Sequence, residues 1–174
     1  MMEETETLLS LAEIAAAFAG FAALVSVLRR RDDRIAEAVH DLLRLRLVIS
    51  SGVAGVAAAL IPVSLAGLGL ESEIAWRAAA LAFLLFDNGI ILSFVRAYKP
   101  VEGAFEPDRF AVTVATGLEI VEQLSLVVVF LGLAGDRAGP LYVTALVANI
   151  CQAGFIFMRF VGSAFHYQTQ LLDD

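Results

Sequence analysis

The sequence predicts an all-α integral membrane protein, a bundle of about five transmembrane helices in a single domain. Its composition is the first reason: 59% of the 174 residues are hydrophobic and only 18% are charged. The mean hydropathy is +0.79. Soluble domains are roughly 45–50% apolar, and a chain of this length buries too small a core to hide the excess. A lipid bilayer is therefore the expected solvent.

The second reason is a series of five apolar runs, each long enough to cross a bilayer as a helix, which takes about 20 residues. The runs cover 8–28, 47–70, 74–95, 110–134 and 141–165. Charged or turn-forming residues separate them, among them three arginines after the first run, Glu71-Ser72-Glu73 after the second and Lys99-Pro100 after the third. We expect one transmembrane domain over residues 1–174.

The third reason is the distribution of basic residues, which concentrate in cytoplasmic loops of membrane proteins. Most of them lie in the first and third connections or near the end of the last run: Arg29, Arg30, Arg31, Arg34, Arg44, Arg46, Arg96, Lys99, Arg109 and Arg159. The other side of the membrane is predicted to hold only Arg77 and Arg137. This asymmetry predicts an outside N-terminus and a cytoplasmic C-terminus, in what we expect to be a bacterial cytoplasmic membrane.

The segment 32–46 before the second run has a different pattern. Ile35, Val39, Leu42 and Leu43 recur at helical spacing with charged residues between them, which indicates an amphipathic helix on the cytoplasmic side. The sequence leaves two arrangements open. The segment lies in the membrane interface, or it extends the second span into the cytoplasm as one long helix.

Small residues predict close packing of the first two spans, because helices in lipid associate where small side chains let backbones approach. The first span contributes Ala12, Ala16, Ala17, Gly20 and Ala23, and the second contributes Gly52, Gly55 and Ala59. Pro62 should kink the second span and leave the carbonyl of Ala58 without its helical donor.

Polar residues recur at mid-depth in three spans. In the fourth run, Glu119, Glu122 and Gln123 fall within a third of the helix circumference. The third run carries Asp87 beside Asn88, and the fifth carries Asn149 and Gln152. The candidate residues of an ion- or proton-binding site are therefore Glu119, Glu122, Asp87, Gln123, Asn149 and Gln152.

These acids need neutralisation, since a charge at the bilayer centre costs about 2.5–3.5 kcal/mol on insertion scales. No Lys or Arg lies at their depth in the sequence. The carboxyl groups are therefore expected to hold protons or to surround a cation, with amide oxygens completing its shell. Arg159 is nearer the cytoplasmic boundary, where it either reaches the lipid head groups or pairs with Glu119.

Several functional classes are excluded or disfavoured. The net charge of −7 and the pI near 4.8 argue against a nucleic-acid partner. The sequence contains no G-x-S-x-G, H-E-x-x-H or P-loop motif, so we expect neither an enzyme nor a cofactor, and the identity of any metal stays open.

The favoured hypothesis is a small membrane transport protein, channel or carrier, for protons or small cations. A channel built from so few helices is expected to be a homo-oligomer. The alternative is a non-enzymatic accessory or scaffold subunit of a larger membrane complex. In that case the polar residues only join helices or contact a membrane-protein partner.

Overall fold

Five long helices form the whole bundle in the computed structural model, which describes residues 2–28, 35–99 and 108–170 and their side chains over 4–27, 42–99 and 108–162. The helices are α1 (Met2–Leu28), α2 (Ile35–Gly67), α3 (Ser72–Tyr98), α4 (Arg109–Phe130) and α5 (Ala138–Gln170), with a 3-10 turn at Gly135–Arg137. The described residues contain no strand. The predicted all-α class is confirmed, and each helix is long and apolar enough to cross a membrane.

Successive helices pack side by side, and α5 closes the bundle by contacting α1, α2 and α4. Many large apolar side chains nevertheless face outward. Leu85 is 66% exposed, Leu124 61% and Met158 68%. Lipid tails supply the apolar surroundings that such side chains need, so this outer surface is that of a helical membrane protein.

Two of the predicted spans run past the ends of their helices. The helix α2 ends before Gly69 and α4 ends before Gly132, where φ is +79° and +74°. At both ends the next two amides bond back to the last turn, as in Gly132 N to Val129 O at 3.0 Å and Leu133 N to Val128 O at 3.1 Å. This is the Schellman motif, which ends a helix at a glycine in the left-handed region.

The amphipathic segment belongs to the same helix as the second span. Helix α2 is continuous from Ile35 to Gly67, so from residue 35 onward the structure has the long-helix arrangement. Residues 32–34 lie outside the described part of the chain. The cytoplasmic location of this extension stays a prediction.

Helices α1 and α2 make a close contact at Gly52. A Cβ placed on Gly52 would lie 2.9 Å from the Cβ of Ala19 and 3.0 Å from the backbone oxygen of Ala15. On α2 the predicted small residues therefore lie at the seam. On α1 the expectation was largely wrong: the buried face is Leu8, Ala12, Ala15 and Ala22, whereas four expected residues, Ala16, Ala17, Gly20 and Ala23, are exposed.

Replacing Gly52 with Ala should push α1 and α2 apart, because the new methyl group meets backbone as well as side-chain atoms. Overpacking of this kind costs about 1–3 kcal/mol. Thermal unfolding in detergent should show the loss. Gly20→Ala is the matched control, since a Cβ there meets nothing within 4 Å. Equal stability of the two variants would contradict the close contact.

Pro62 interrupts the hydrogen bonding of α2 as predicted, and α5 repairs the gap. Proline has no backbone N–H, so the carbonyl of Ala58 lacks its helical donor. The hydroxyl of Tyr142 donates to that carbonyl at 2.7 Å, and both residues are completely buried. The hydroxyl of Tyr142 on α5 therefore replaces the hydrogen bond that Pro62 removes from α2.

Removing the hydroxyl by Tyr142→Phe should destabilise the protein by about 1–3 kcal/mol, the cost of leaving a buried carbonyl without a donor. In a Pro62→Ala background the same change should cost less, because an alanine at that position would supply the missing N–H to the carbonyl of Ala58. A double-mutant cycle of unfolding free energies measures the difference. Additive effects would show that the two residues are not coupled.

The apolar core is unevenly distributed along the bundle. Its larger cluster lies toward the end where α3 begins, and we call the large, fully buried side chains that α3, α4 and α5 contribute to it the apolar layer: Phe83, Leu126, Val129, Tyr142 and Leu146. We call the other end, which carries Arg44, Arg46, Arg96 and Arg159, the basic end. There the buried core is smaller and comprises Ala22, Leu45, Val48 and Phe160.

Candidate functional site

Three carboxyl groups converge in the middle of the bundle. Asp87 of α3 meets Glu119 and Glu122 of α4, and each offers an oxygen within 4.8 Å of the others. Asp87 is 4% exposed and Glu122 is completely buried, while Glu119 is half-buried. We call these three residues the carboxylate cluster.

Helical periodicity explains why the acids meet. Glu119 and Glu122 are three residues apart on α4 and therefore share one face. Asp87 lies one turn after Phe83 on the buried face of α3. Because α3 packs against α4, these two faces oppose each other. The predicted convergence of the acids at one level is therefore found within one chain.

Gln123 joins two of the acids. Its Nε2 donates to Asp87 Oδ2 at 2.6 Å and to Glu119 Oε1 at 2.9 Å. Its Oε1 accepts from Asn88 Nδ2 at 3.2 Å, and the same Nδ2 also donates to the carbonyl of Leu84 at 2.8 Å. The amide orientation of Gln123 is thus fixed by a neighbour on α3.

Gln152 reaches the cluster from α5. Its Nε2 donates to Glu119 Oε2 at 3.2 Å and to the carbonyl of Ala115 at 3.2 Å. Both glutamines therefore present nitrogen to the carboxylates, whereas a cation shell would use their oxygens. Hydrogen bonds of this kind stabilise negative charge on Asp87 and Glu119.

Glu122 is different, because neither of its side-chain oxygens has a hydrogen-bond partner among the described residues. Asn149 lies beside it. The Nδ2 of Asn149 donates to Ser51 Oγ at 3.0 Å, and its buried Oδ1 has no partner in the described part of the chain. Among the described residues, Glu122 therefore lacks the hydrogen-bond donors that Gln123 and Gln152 supply to the other two acids.

Arg159 does not neutralise the cluster. It forms an ion pair with Asp108, and its guanidinium lies 6.0 Å from the ring centre of Phe155. Its predicted pairing with Glu119 is not found, since that carboxylate is held by Gln123 and Gln152. The ion pair between Arg159 and Asp108 instead joins α5 to the start of α4.

Asp108 is the N-cap of α4 and accepts hydrogen bonds from the backbone N–H groups of Phe110 and Ala111 at 2.9 and 3.4 Å. Partial desolvation alone would raise the pKa of Asp108. The hydrogen bonds from Ala111 and Phe110, together with the Arg159 guanidinium, outweigh it and hold that pKa below its ordinary value.

A cavity of about 360 Å³ separates this ion pair from the carboxylate cluster. Its walls are formed by residues within 44–51 of α2, 87–94 of α3, 111–119 of α4 and 152–159 of α5. Asp87, Glu119 and Gln152 lie at its inner end, and Arg44 and Arg159 lie toward the basic end. We call this cavity the vestibule.

Some functional groups were missed by the sequence analysis. Ser51 was not among the candidate residues, although its hydroxyl accepts a hydrogen bond from Asn149. Asp108 was not among them either. Its position directly before an apolar run is a typical N-cap signal.

A comparison with protein-family models, curated proteins and solved structures finds no match for this chain. The site is therefore interpreted from its own geometry.

Acidic pH should loosen the first turn of α4. The folded-state pKa of Asp108 is lowered, so its stabilisation is complete above the unfolded-state pKa and is lost as pH falls through the folded-state pKa. Hydrogen-exchange protection of the Phe110 and Ala111 amides should decrease over that range. Asp108→Asn keeps a capping side chain but should lack the transition. The same transition in both proteins would contradict this assignment.

Proposed function

We propose that this membrane protein transports protons or small cations and binds them at the carboxylate cluster. The observation that carries the proposal is the state of Glu122. It is completely buried, both its oxygens lack partners among the described residues, and two other carboxylates lie close by.

Charge balance supports reversible binding. Simultaneous ionisation of three carboxylates within 4.8 Å of one another is unfavourable, because two of them are buried and like charges disfavour each other. The described side chains place amide donors near two of the acids but no Lys or Arg among the groups that bond to the cluster. The missing positive charge is therefore a proton or a cation that arrives from outside.

The amide orientations favour the proton. Gln123 and Gln152 donate N–H groups to Asp87 and Glu119, which solvates negative charge at these two positions. Glu122 has no such donor among the described residues, so it is the acid that would hold the proton. A small cation requires oxygen ligands, and both glutamines would have to reorient to supply them.

Flux measurements in proteoliposomes test the proposal. An imposed membrane potential should drive proton or cation entry, read by dyes trapped inside. Glu122→Gln and Glu119→Gln keep the side-chain shape but remove the exchangeable proton and the charge. Each should lower the flux by more than about tenfold, which corresponds to about 1.4 kcal/mol.

The control is Glu13→Gln, which removes an exposed acid from α1 and should leave the flux unchanged. Calorimetry with Na⁺, K⁺, Mg²⁺ and Ca²⁺ then distinguishes the two cargoes. Binding heat that disappears in Glu122→Gln identifies a cation, whereas flux without binding heat identifies the proton. Unchanged flux in both glutamate variants would refute the proposal.

An accessory or scaffold subunit is the second candidate, and one observation favours it. Asn88 is exposed although it lies next to Asp87 at the level of the cluster. A polar side chain at this depth is stabilised by a neighbouring protein helix better than by lipid. On this account wild-type protein shows no flux alone, and it copurifies with other membrane proteins from its native membrane.

A further inference from the structure

We infer that the vestibule is a water-filled access route that connects the carboxylate cluster to the basic end of the bundle only, and that the apolar layer closes the cluster toward the opposite end. The inference rests on the proposed function only for the identity of the transported ion. The experiment below tests the route independently of that function.

The vestibule has room and polar partners for water. Its volume of about 360 Å³ exceeds by about tenfold the roughly 30 Å³ that a water molecule occupies in the liquid. Its walls include Ser51, Thr116 and Gln152 in addition to two of the acids. Cavities of this size with several polar groups hold water, whereas purely apolar cavities stay dry.

The vestibule also has a direction. On α4 its walls extend from Ala111 to Glu119, eight residues that span about 12 Å of helix. It therefore covers the distance from the first turn of α4 to the cluster. Thr116 lines it and is exposed, so the cavity is open to its surroundings.

Packing on the other side of the cluster is tight. From Glu122 to Val129, seven residues span about 10 Å of α4, and Leu126 and Val129 on this stretch are buried completely or almost so. Phe83 of α3 and Tyr142 of α5 fill the same layer, with ring centres 6.2 Å apart. Apolar side chains packed in this way exclude water and ions.

The two acids at the vestibule and the acid behind them then have different roles. Asp87 and Glu119 line the cavity, whereas Glu122 does not. A proton or cation that enters from the basic end would therefore reach Asp87 or Glu119 before it reaches Glu122. With the predicted orientation, in which the basic end is cytoplasmic, the route would open to the cytoplasm.

Cysteine accessibility tests the route. Cys151 is the only cysteine and is exposed, so the background is Cys151→Ser. Thr116→Cys places a thiol in the vestibule. Val121→Cys places one on a lipid-facing position, 45% exposed, at the level of the cluster. Ser125→Cys is a nearly isosteric change one turn beyond Glu122, on the closed side.

Two further variants identify the sides of the membrane. Lys99→Cys marks the basic end and Asp136→Cys marks the opposite end, since both positions are exposed. A charged, membrane-impermeant thiol reagent is applied to spheroplasts and to inside-out vesicles of the expression host. The markers show which preparation exposes which end, so the test does not assume the predicted orientation.

We expect Thr116→Cys to react only from the side on which Lys99→Cys reacts, and about tenfold faster than the other two variants. A charged reagent does not enter lipid to reach Val121→Cys, and the buried thiol of Ser125→Cys reacts only through rare openings. Labelling of Thr116→Cys no faster than Val121→Cys would overturn the inference, since the cavity would then be dry or filled by lipid. Labelling of Ser125→Cys from the opposite side would overturn the closed layer.

Failure of the route and failure of the proposed function give different results. One-sided labelling together with unchanged flux in Glu122→Gln supports the vestibule and refutes transport through the cluster. Impaired flux in Glu122→Gln with no labelling of Thr116→Cys supports the cluster and refutes this route. If the route and the proposed function are both correct, labelling Thr116→Cys should itself lower the flux by more than about tenfold, because the attached reagent fills the vestibule.

Discussion

Mutual repulsion among three closely spaced carboxyl groups, two of them buried, is the constraint on which this site depends. Asp87, Glu119 and Glu122 are close enough that any two charges interact strongly in an interior of low dielectric constant. Two of them are stabilised by amide donors on α4 and α5. The third has none among the described residues. On the proposed account, a proton or a cation compensates at least part of this charge, and the cluster would then respond to the ions and the pH of its surroundings.

The packing of the bundle differs between the two sides of the carboxylate cluster. Toward one end, aromatic and aliphatic side chains fill the interior, and the buried hydrogen bond from Tyr142 to Ala58 joins α5 to α2 one turn before Pro62. Toward the basic end the interior between α2, α3, α4 and α5 contains the vestibule. A symmetric core would isolate the acids from both sides. On the proposed account, this asymmetry would allow exchange with one compartment while the other stays closed.

Much of the fold and of the site could be predicted because both follow from periodicity. Long apolar runs determine helices, and a helical repeat brings Glu119, Glu122 and Gln123 to one face whatever surrounds them. The helix ends were harder, since Gly69 and Gly132 act through a backbone conformation that composition does not reveal. The buried face of α1 was missed because a lipid-facing surface and a protein-facing surface are both apolar, so hydropathy cannot distinguish them.

The details of the site depended on three-dimensional contacts. The sequence placed Gln123 and Gln152 near the acids, but which amide atom faces a carboxylate depends on Asn88 and on the carbonyl of Ala115. Likewise, the depth of Arg159 in the membrane, as predicted from the sequence, left a pairing with Glu119 open. It pairs with Asp108 because the start of α4 lies directly beside α5.

Infrared difference spectroscopy of the purified protein tests the central claim most directly, because a protonated carboxyl group has a carbonyl stretch that a carboxylate lacks. The account predicts such a band near neutral pH for wild-type protein and its loss in Glu122→Gln. Where a cation is bound instead, the band should appear when the cation is removed. A spectrum of fully ionised carboxylates, unchanged by every cation, would contradict the account.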